Sequence, residues 1–134
     1  MLHRINIQTK SRVEFQDITP QVKSAVAKSS IKSGICHVVT LHTTSAITVN
    51  ENADPDVVKD IIDALDSVVP QQAQYRHREG NSPAHIKASI IGGSATVVIE
   101  DGTLLLGTWQ GIFFCEFDGP RSRTVLIRIM SDSP

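Results

Sequence analysis

Short apolar alternations run through most of this chain, and helical spacing interrupts them in the first two thirds. Ile5 and Ile7, then Val13 and Phe15, mark two short strands on either side of Thr9–Arg12. At Thr19-Pro20 the period changes. Val22, Ala25, Val26 and Ser29 predict a helix to about Ser30, and Gly34 closes that unit. Ile35 to Thr43 and Ala46 to Asn50 return to strand character. Asp54-Pro55 then opens the clearest helix. Val57, Val58, Ile61, Ile62, Leu65 and Val69 form its apolar stripe, Asp56, Lys59, Asp60, Asp63 and Asp66 its wet face, and Pro70 stops it. After a loop from Gln71 to Asn81, Ser82 as N-cap and Pro83 as first helical residue predict a short helix to about Ile91, ended by Gly92-Gly93. The remainder is β. Ala95 to Glu100 and Thr103 to Leu106 flank the hairpin signal Asp101-Gly102, and Ile112 to Phe117 joins Thr124 to Met130 through Asp118-Gly119-Pro120-Arg121.

Strands outnumber helices and connect mostly by short turns. The expected fold is a single α+β domain over residues 1–134, an antiparallel sheet or sandwich carrying two or three helices. Val125-Leu126-Ile127 reads as a strand buried on both faces. A thick two-sheet core or contacts with other subunits would cover it.

Composition narrows the partners. With 13 basic against 14 acidic residues and a net charge of -1, the chain lacks the basic excess of a nucleic-acid binder. It has no apolar run of membrane-spanning length, and its first ten residues alternate instead of forming a signal-peptide core. No membrane partner and a cytoplasmic location are expected. Cys36 and Cys115 fall inside apolar strands, which suits buried free thiols in a reducing compartment better than a disulfide.

The candidate chemistry is concentrated in Tyr75–His85, which holds His77, Glu79, Asn81, Ser82 and His85 ahead of and into a helix. A helix start presents free N–H groups and attracts anions, phosphate above all. His42-Thr43-Thr44-Ser45 ends one strand and Asn50-Glu51-Asn52-Ala53-Asp54 ends the next. Polar groups gathered at apolar strand ends often form a site. The hydroxyls also suit ordinary turns, and Asp54 suits a helix cap. Alternation puts Cys36, Val38, Thr40 and His42 on one face and His37 on the other. His42, His77 and His85 are candidates for a three-histidine set with one open position, as in catalytic zinc sites, although no His-Glu-x-x-His pair is present. Each also reads as a plain core, edge or helix-end histidine. Trp109-Gln110, between Gly107 and Gly111, offers a surface to stack on and hydrogen-bond a heteroaromatic ring, or a plug for a core or interface. Arg121 and Arg123 suit a phosphate fork or a solvated turn.

Three stretches resemble the signatures of the YjbQ-like family: His42-Thr43-Thr44-Ser45-Ala46 through Val49-Asn50-Glu51-Asn52 to Asp54-Pro55; His77-x-Glu79-Gly80-Asn81-Ser82-x-Ala84-His85-x-Lys87-Ala88; and Leu106-Gly107-Thr108-Trp109-Gln110-Gly111-Ile112 followed by Glu116-Phe117-Asp118-Gly119-Pro120-Arg121. The resemblance runs from about Ile5 to Met130. It implies a compact α+β fold with antiparallel sheets, a homotrimer, and a weak secondary thiamine-phosphate synthase activity. That reaction joins hydroxymethylpyrimidine pyrophosphate to thiazole phosphate and releases pyrophosphate. On this reading His85, with Glu51 or Glu79, serves as acid/base. Asn50, Asn81, Ser82, Lys87, Trp109, Gln110 and Arg121 hold the small phosphorylated substrate. His42, His77 and His85 surround the pocket and would ligate a divalent metal, zinc or magnesium. Two other functions fit the same residues: a metal-dependent hydrolase built on the three histidines, and a non-catalytic trimeric binding protein for a small anion.

Overall fold

A computed structural model describes residues 1–134. The elements in chain order are β1 (Leu2–Gln8), β2 (Glu14–Asp17), α1 (Thr19–Ser29), β3 (Gly34–Thr40), β4 (Ser45–Glu51), α2 (Pro55–Val68), α3 (Ser82–Ile91), β5 (Ser94–Glu100), β6 (Thr103–Leu104), β7 (Gln110–Glu116) and β8 (Ser122–Ser131). They form two antiparallel sheets, one ordered β1-β8-β3-β5-β6 and the other β2-β7-β4. The single α+β domain with three helices agrees with the sequence pattern.

The main core lies between the sheets. Cys36, Val38, Val97, Ile99, Val125, Ile127 and Ile129 of the larger sheet meet Ile47, Ile112 and Phe114 of the smaller one, and α1 closes one side with Val22, Ala25 and Val26. A second cluster covers the other face of the smaller sheet. Phe113, Cys115 and Phe117 pack there against Ala84 and Ala88 of α3, with Val58 and Leu65 of α2 partly buried alongside. No helix packs on the far face of the larger sheet. Register places Met130 and Val98 beside Ile35 there, and all three side chains are exposed. This tempers the reading of Val125-Leu126-Ile127: Val125 and Ile127 are buried, whereas Leu126 faces the open side and is half-buried.

Local signals set most boundaries. Asp54 caps α2 by accepting from the Asp56 amide at 2.9 Å. α1 ends on Ser30, which adopts the left-handed conformation at φ 60, four residues before Gly34. The strand expected to reach Thr43 stops at Thr40, and the one expected to reach Leu106 stops at Leu104. Asn81, not Ser82, occupies the N-cap of α3; Ser82 is its first helical residue and is buried. Both cysteines are free and buried. No helix is long and apolar enough to cross a membrane.

Candidate functional site

The β3–β4 connection, the loop after α2, the start of α3 and the β7–β8 corner converge on one cleft of about 440 Å³, whose walls include His42, His77, Glu79, His85, Arg121 and Arg123. Each segment is placed by simple means. Thr40 and Ser45, at the facing ends of β3 and β4, join their hydroxyls at 2.7 Å, and the His42 amide donates to Thr40 Oγ1 at 3.3 Å. Gly80, at φ 82, gives the left-handed turn that feeds Asn81 into α3. At the β7–β8 corner a Cβ on Gly119 would run into the Ser11 carbonyl, so only glycine lets the chain pass there.

Below the cleft lies a buried ion pair. Arg123 donates through Nε to Glu116 Oε1 at 2.8 Å, and through Nη2 to Glu116 Oε2 and to Thr44 Oγ1, the latter at 2.8 Å. Glu116 also accepts from Thr9 Oγ1 at 2.8 Å and from the Asp118 amide at 3.0 Å. Burial alone would raise its pKa. The Arg123, Asp118 and Thr9 hydrogen bonds outweigh that and hold it below the usual carboxylate range. Asp118 orients the next layer: its carboxylate accepts from Asn81 Nδ2 and from Arg121 Nη2, each at 3.0 Å, and its carbonyl accepts from Arg121 Nε at 2.8 Å. Both guanidiniums are thus held through Nε and Nη2, Arg123 by the Glu116 carboxylate and Arg121 by the carbonyl and carboxylate of Asp118, leaving Nη1. The bond to Asp118 also fixes the Asn81 amide, whose Oδ1 is buried and has no partner.

On the opposite wall the His77 and His85 rings meet edge to face, with centroids 5.2 Å apart, and Glu79 Oε2 lies 3.8 Å from His77 Nε2. His42 accepts the Thr124 amide at Nε2, 2.9 Å away. Burial lowers the His42 pKa, Arg123 and Arg121 lower it further, and Glu116 partly offsets them. A neutral ring that accepts at Nε2 keeps its proton on Nδ1, so it has no free lone pair for an ion. No three His, Cys, Asp or Glu side chains are grouped to hold a metal. The three histidines therefore share a cleft but do not fit the expected three-histidine metal set.

Other expected site residues lie elsewhere. Lys87 is buried and directed away: Nζ pairs with Asp66 of α2 and lies 6.0 Å from the centroid of the Phe117 ring. Its place among the phosphate ligands is corrected, because helical periodicity turns it into the core side of α3. The helix start is also a poorer anion cradle than expected. Pro83 has no N–H, and the Ala84 and His85 amides both donate to the Asn81 carbonyl. Asn50, Glu51, Trp109 and Gln110 gather at the far end of β4, where Glu51 pairs with Gln110, while Ser45 at the near end pairs with Glu116. Seven residues of strand separate the two ends by about 20 Å. There Asn50 Oδ1 accepts from the Glu51 amide and Glu51 Oε2 from the Asp54 amide. Gln110 Oε1 accepts from Gly107, and Trp109 is 62% exposed. Within one chain none of these four reaches the histidine cleft.

Sequence reasoning assigned no role to Glu116 or Asp118. The signal was present: an acid inside the apolar run Ile112–Phe117 requires a buried partner, and Arg123 stands at the start of the next strand.

The model of the UPF0047, YjbQ-like family matches residues 3–132. The UPF0047 protein of Methanocaldococcus jannaschii is 52% identical over 132 residues, covering 98% of this chain and 96% of its own. The UPF0047 protein YugU of Bacillus subtilis is 50% identical over 131 residues, covering 97% and 99%. Among solved structures, a YjbQ/UPF0047 family protein of Clostridium acetobutylicum superposes with a TM-score of 0.94 at 52% identity, covering 96% of this chain and 99% of its own. A protein of unknown function from Sulfolobus solfataricus P2 gives 0.95 at 33% identity, covering 98% and 97%. Sequence and fold agree over almost the whole length, and the chain belongs to the UPF0047, YjbQ-like family.

Proposed function

We propose that the cleft binds a small phosphorylated substrate and carries the thiamine-phosphate synthase-type transfer that the family resemblance implies. One observation carries this reading: two guanidiniums and three imidazoles face a single polar cleft, with both guanidiniums already oriented by carboxylates. Such donors bind phosphate oxygens without first having to be ordered. In the reaction the thiazole nitrogen attacks the methylene carbon of the pyrimidine pyrophosphate. The carbon–oxygen bond breaks, and its electron pair leaves with pyrophosphate. The nitrogen becomes the cationic thiazolium nitrogen without losing a proton, so the one proton that moves is the one the leaving pyrophosphate takes up. Charge grows on the leaving oxygens, and Arg121, Arg123 and the histidines are the groups positioned to stabilise it. His85 beside His77, with Glu79 near His77, supplies the proton that a protonated pyrophosphate carries away.

The test is His85→Ala assayed for thiamine phosphate formation, with melting measured on the same preparation. The expected result is loss of turnover with a nearly unchanged melting temperature, since His85 is half-buried at the cleft. Normal turnover below an early melting point would make His85 a packing residue and defeat the reading. A homotrimer belongs to the same proposal. It is supported by the exposed apolar row Met130, Ile35 and Val98 on the open sheet face, and a stable interface would bury about 2,000 Å² or more. A monomer by sedimentation would remove it. The two buried free thiols support the expected cytoplasmic location.

A further inference from the structure

We infer that His42 works as a neutral, Nδ1-protonated hydrogen-bond donor to an oxygen of the bound anion, and neither as a metal ligand nor as a proton-transfer group. The ligand half of this statement rests on the phosphorylated-substrate reading above. The state of the ring is a property of the free protein.

The argument begins in the sheet. Pairing of β3 with β8 runs out at Thr40 opposite Val125. The next amide along β8, that of Thr124, donates at 2.9 Å to His42 Nε2, so the ring supplies an acceptor just beyond the point where β3 stops. A peptide N–H only donates, so Nε2 must carry a bare lone pair, and the proton of the neutral ring sits on Nδ1. Charging the ring would put a second proton on Nε2 and leave that amide without its acceptor. The charged groups around the ring point the same way: Arg123 on β8 and Arg121 in the corner oppose a cation, and Glu116 on β7 only partly offsets them.

Nδ1 makes no protein hydrogen bond, yet it is not among the buried unpartnered atoms, so it opens to solvent. His42 lines the cleft that Arg121 and Arg123 also line, and it borders the adjoining groove near Ser89 and Gly93. An N–H there can donate to a phosphate oxygen without adding a third cation beside two guanidiniums. It cannot take up a proton from the ligand. Coordination at Nδ1 would need both ring nitrogens bare, which is the imidazolate form. Proton movement therefore falls to His77 and His85.

Long-range proton–nitrogen NMR on the full chain with labelled histidine reads the ring directly. At neutral pH the His42 ring should show a bare Nε2 and a protonated Nδ1. Equimolar zinc should leave that pattern unchanged. An imidazolium, the Nε2–H tautomer, or a zinc-shifted Nδ1 would overturn the inference. The ligand half is tested by titrating inorganic pyrophosphate into wild type, His42→Asn and His42→Gln. Asparagine places an amide N–H near the Nδ1 position, and glutamine places an acceptor near Nε2. His42→Asn should hold pyrophosphate within about threefold of wild type yet melt earlier, while His42→Gln should melt nearly normally and bind about tenfold more weakly. The reverse pattern would overturn the donor role. Pyrophosphate that moves no cleft resonance in wild type would defeat the anion reading itself, and with it the donor role, whatever the tautomer.

Discussion

Replacing Arg123 by alanine should expose how much of this fold depends on one buried ion pair. Glu116 is fully buried and Arg123 is 4% exposed, and the arginine makes two hydrogen bonds to the carboxylate and one to Thr44. Removing it leaves Glu116 with only the Thr9 hydroxyl and the Asp118 amide. Breaking a buried pair in this way costs about 3–5 kcal/mol, a large share of the 5–15 kcal/mol that stabilises an ordinary domain. The sign of the pH dependence gives a sharper check. In wild type the folded-state pKa of Glu116 is depressed, so its stabilising contribution is present above the ordinary carboxylate value of 4.5 and is lost as pH falls below it towards the folded value. In the variant burial dominates and the folded pKa rises. The carboxyl then destabilises at neutral pH, and that penalty disappears on acidification. Urea unfolding from neutral pH down to about pH 4 should therefore show the gap between the two proteins narrowing as pH falls. Glu116→Leu with Arg123→Met, which removes both charges, should recover most of the loss. Arg121→Ala supplies the contrast: Arg121 is half exposed, its pair with Asp118 is screened by solvent, and its loss should cost less than about 1 kcal/mol. A gap for Arg123→Ala below about 1 kcal/mol, or one that does not change with pH, would refute the reasoning.

Two further outcomes follow from burial alone. Lys87→Met should keep pyrophosphate binding within about twofold, because Lys87 faces Asp66 and Phe117 and not the cleft; a large loss of affinity measured by calorimetry would restore Lys87 as a ligand. Cys36 and Cys115 should resist an aromatic disulfide reagent in the folded protein and both react after denaturation, since burial raises the Cys36 thiol to about 11 and the Cys115 thiol higher still. Rapid labelling of the native chain would show that the strands around them open.

The order of the elements was legible in the sequence because it rests on local spacing. The apolar stripe of α2, the alternation of β3 and β8 and the Asp101-Gly102 turn each act within a few residues, and the structure reproduces them with boundary shifts of one to three residues. The outline of the cleft was partly legible too, because His42, His77 and His85 sit where apolar elements end. What the sequence did not contain was the distance between those ends. Ser45 and Glu51 belong to one polar-tipped strand, yet a strand keeps its two tips about 20 Å apart, so Asn50, Glu51, Trp109 and Gln110 were separated from the histidines only by tertiary geometry. Lys87 was misplaced for a related reason. Its charge argued for solvent or a ligand, but α3 packing against the smaller sheet turned that position inward, and Asp66 on another helix compensated it. Side-chain chemistry names the groups able to act. Long-range packing decides which of them meet, which are paired below the surface, and which nitrogen of His42 carries its proton.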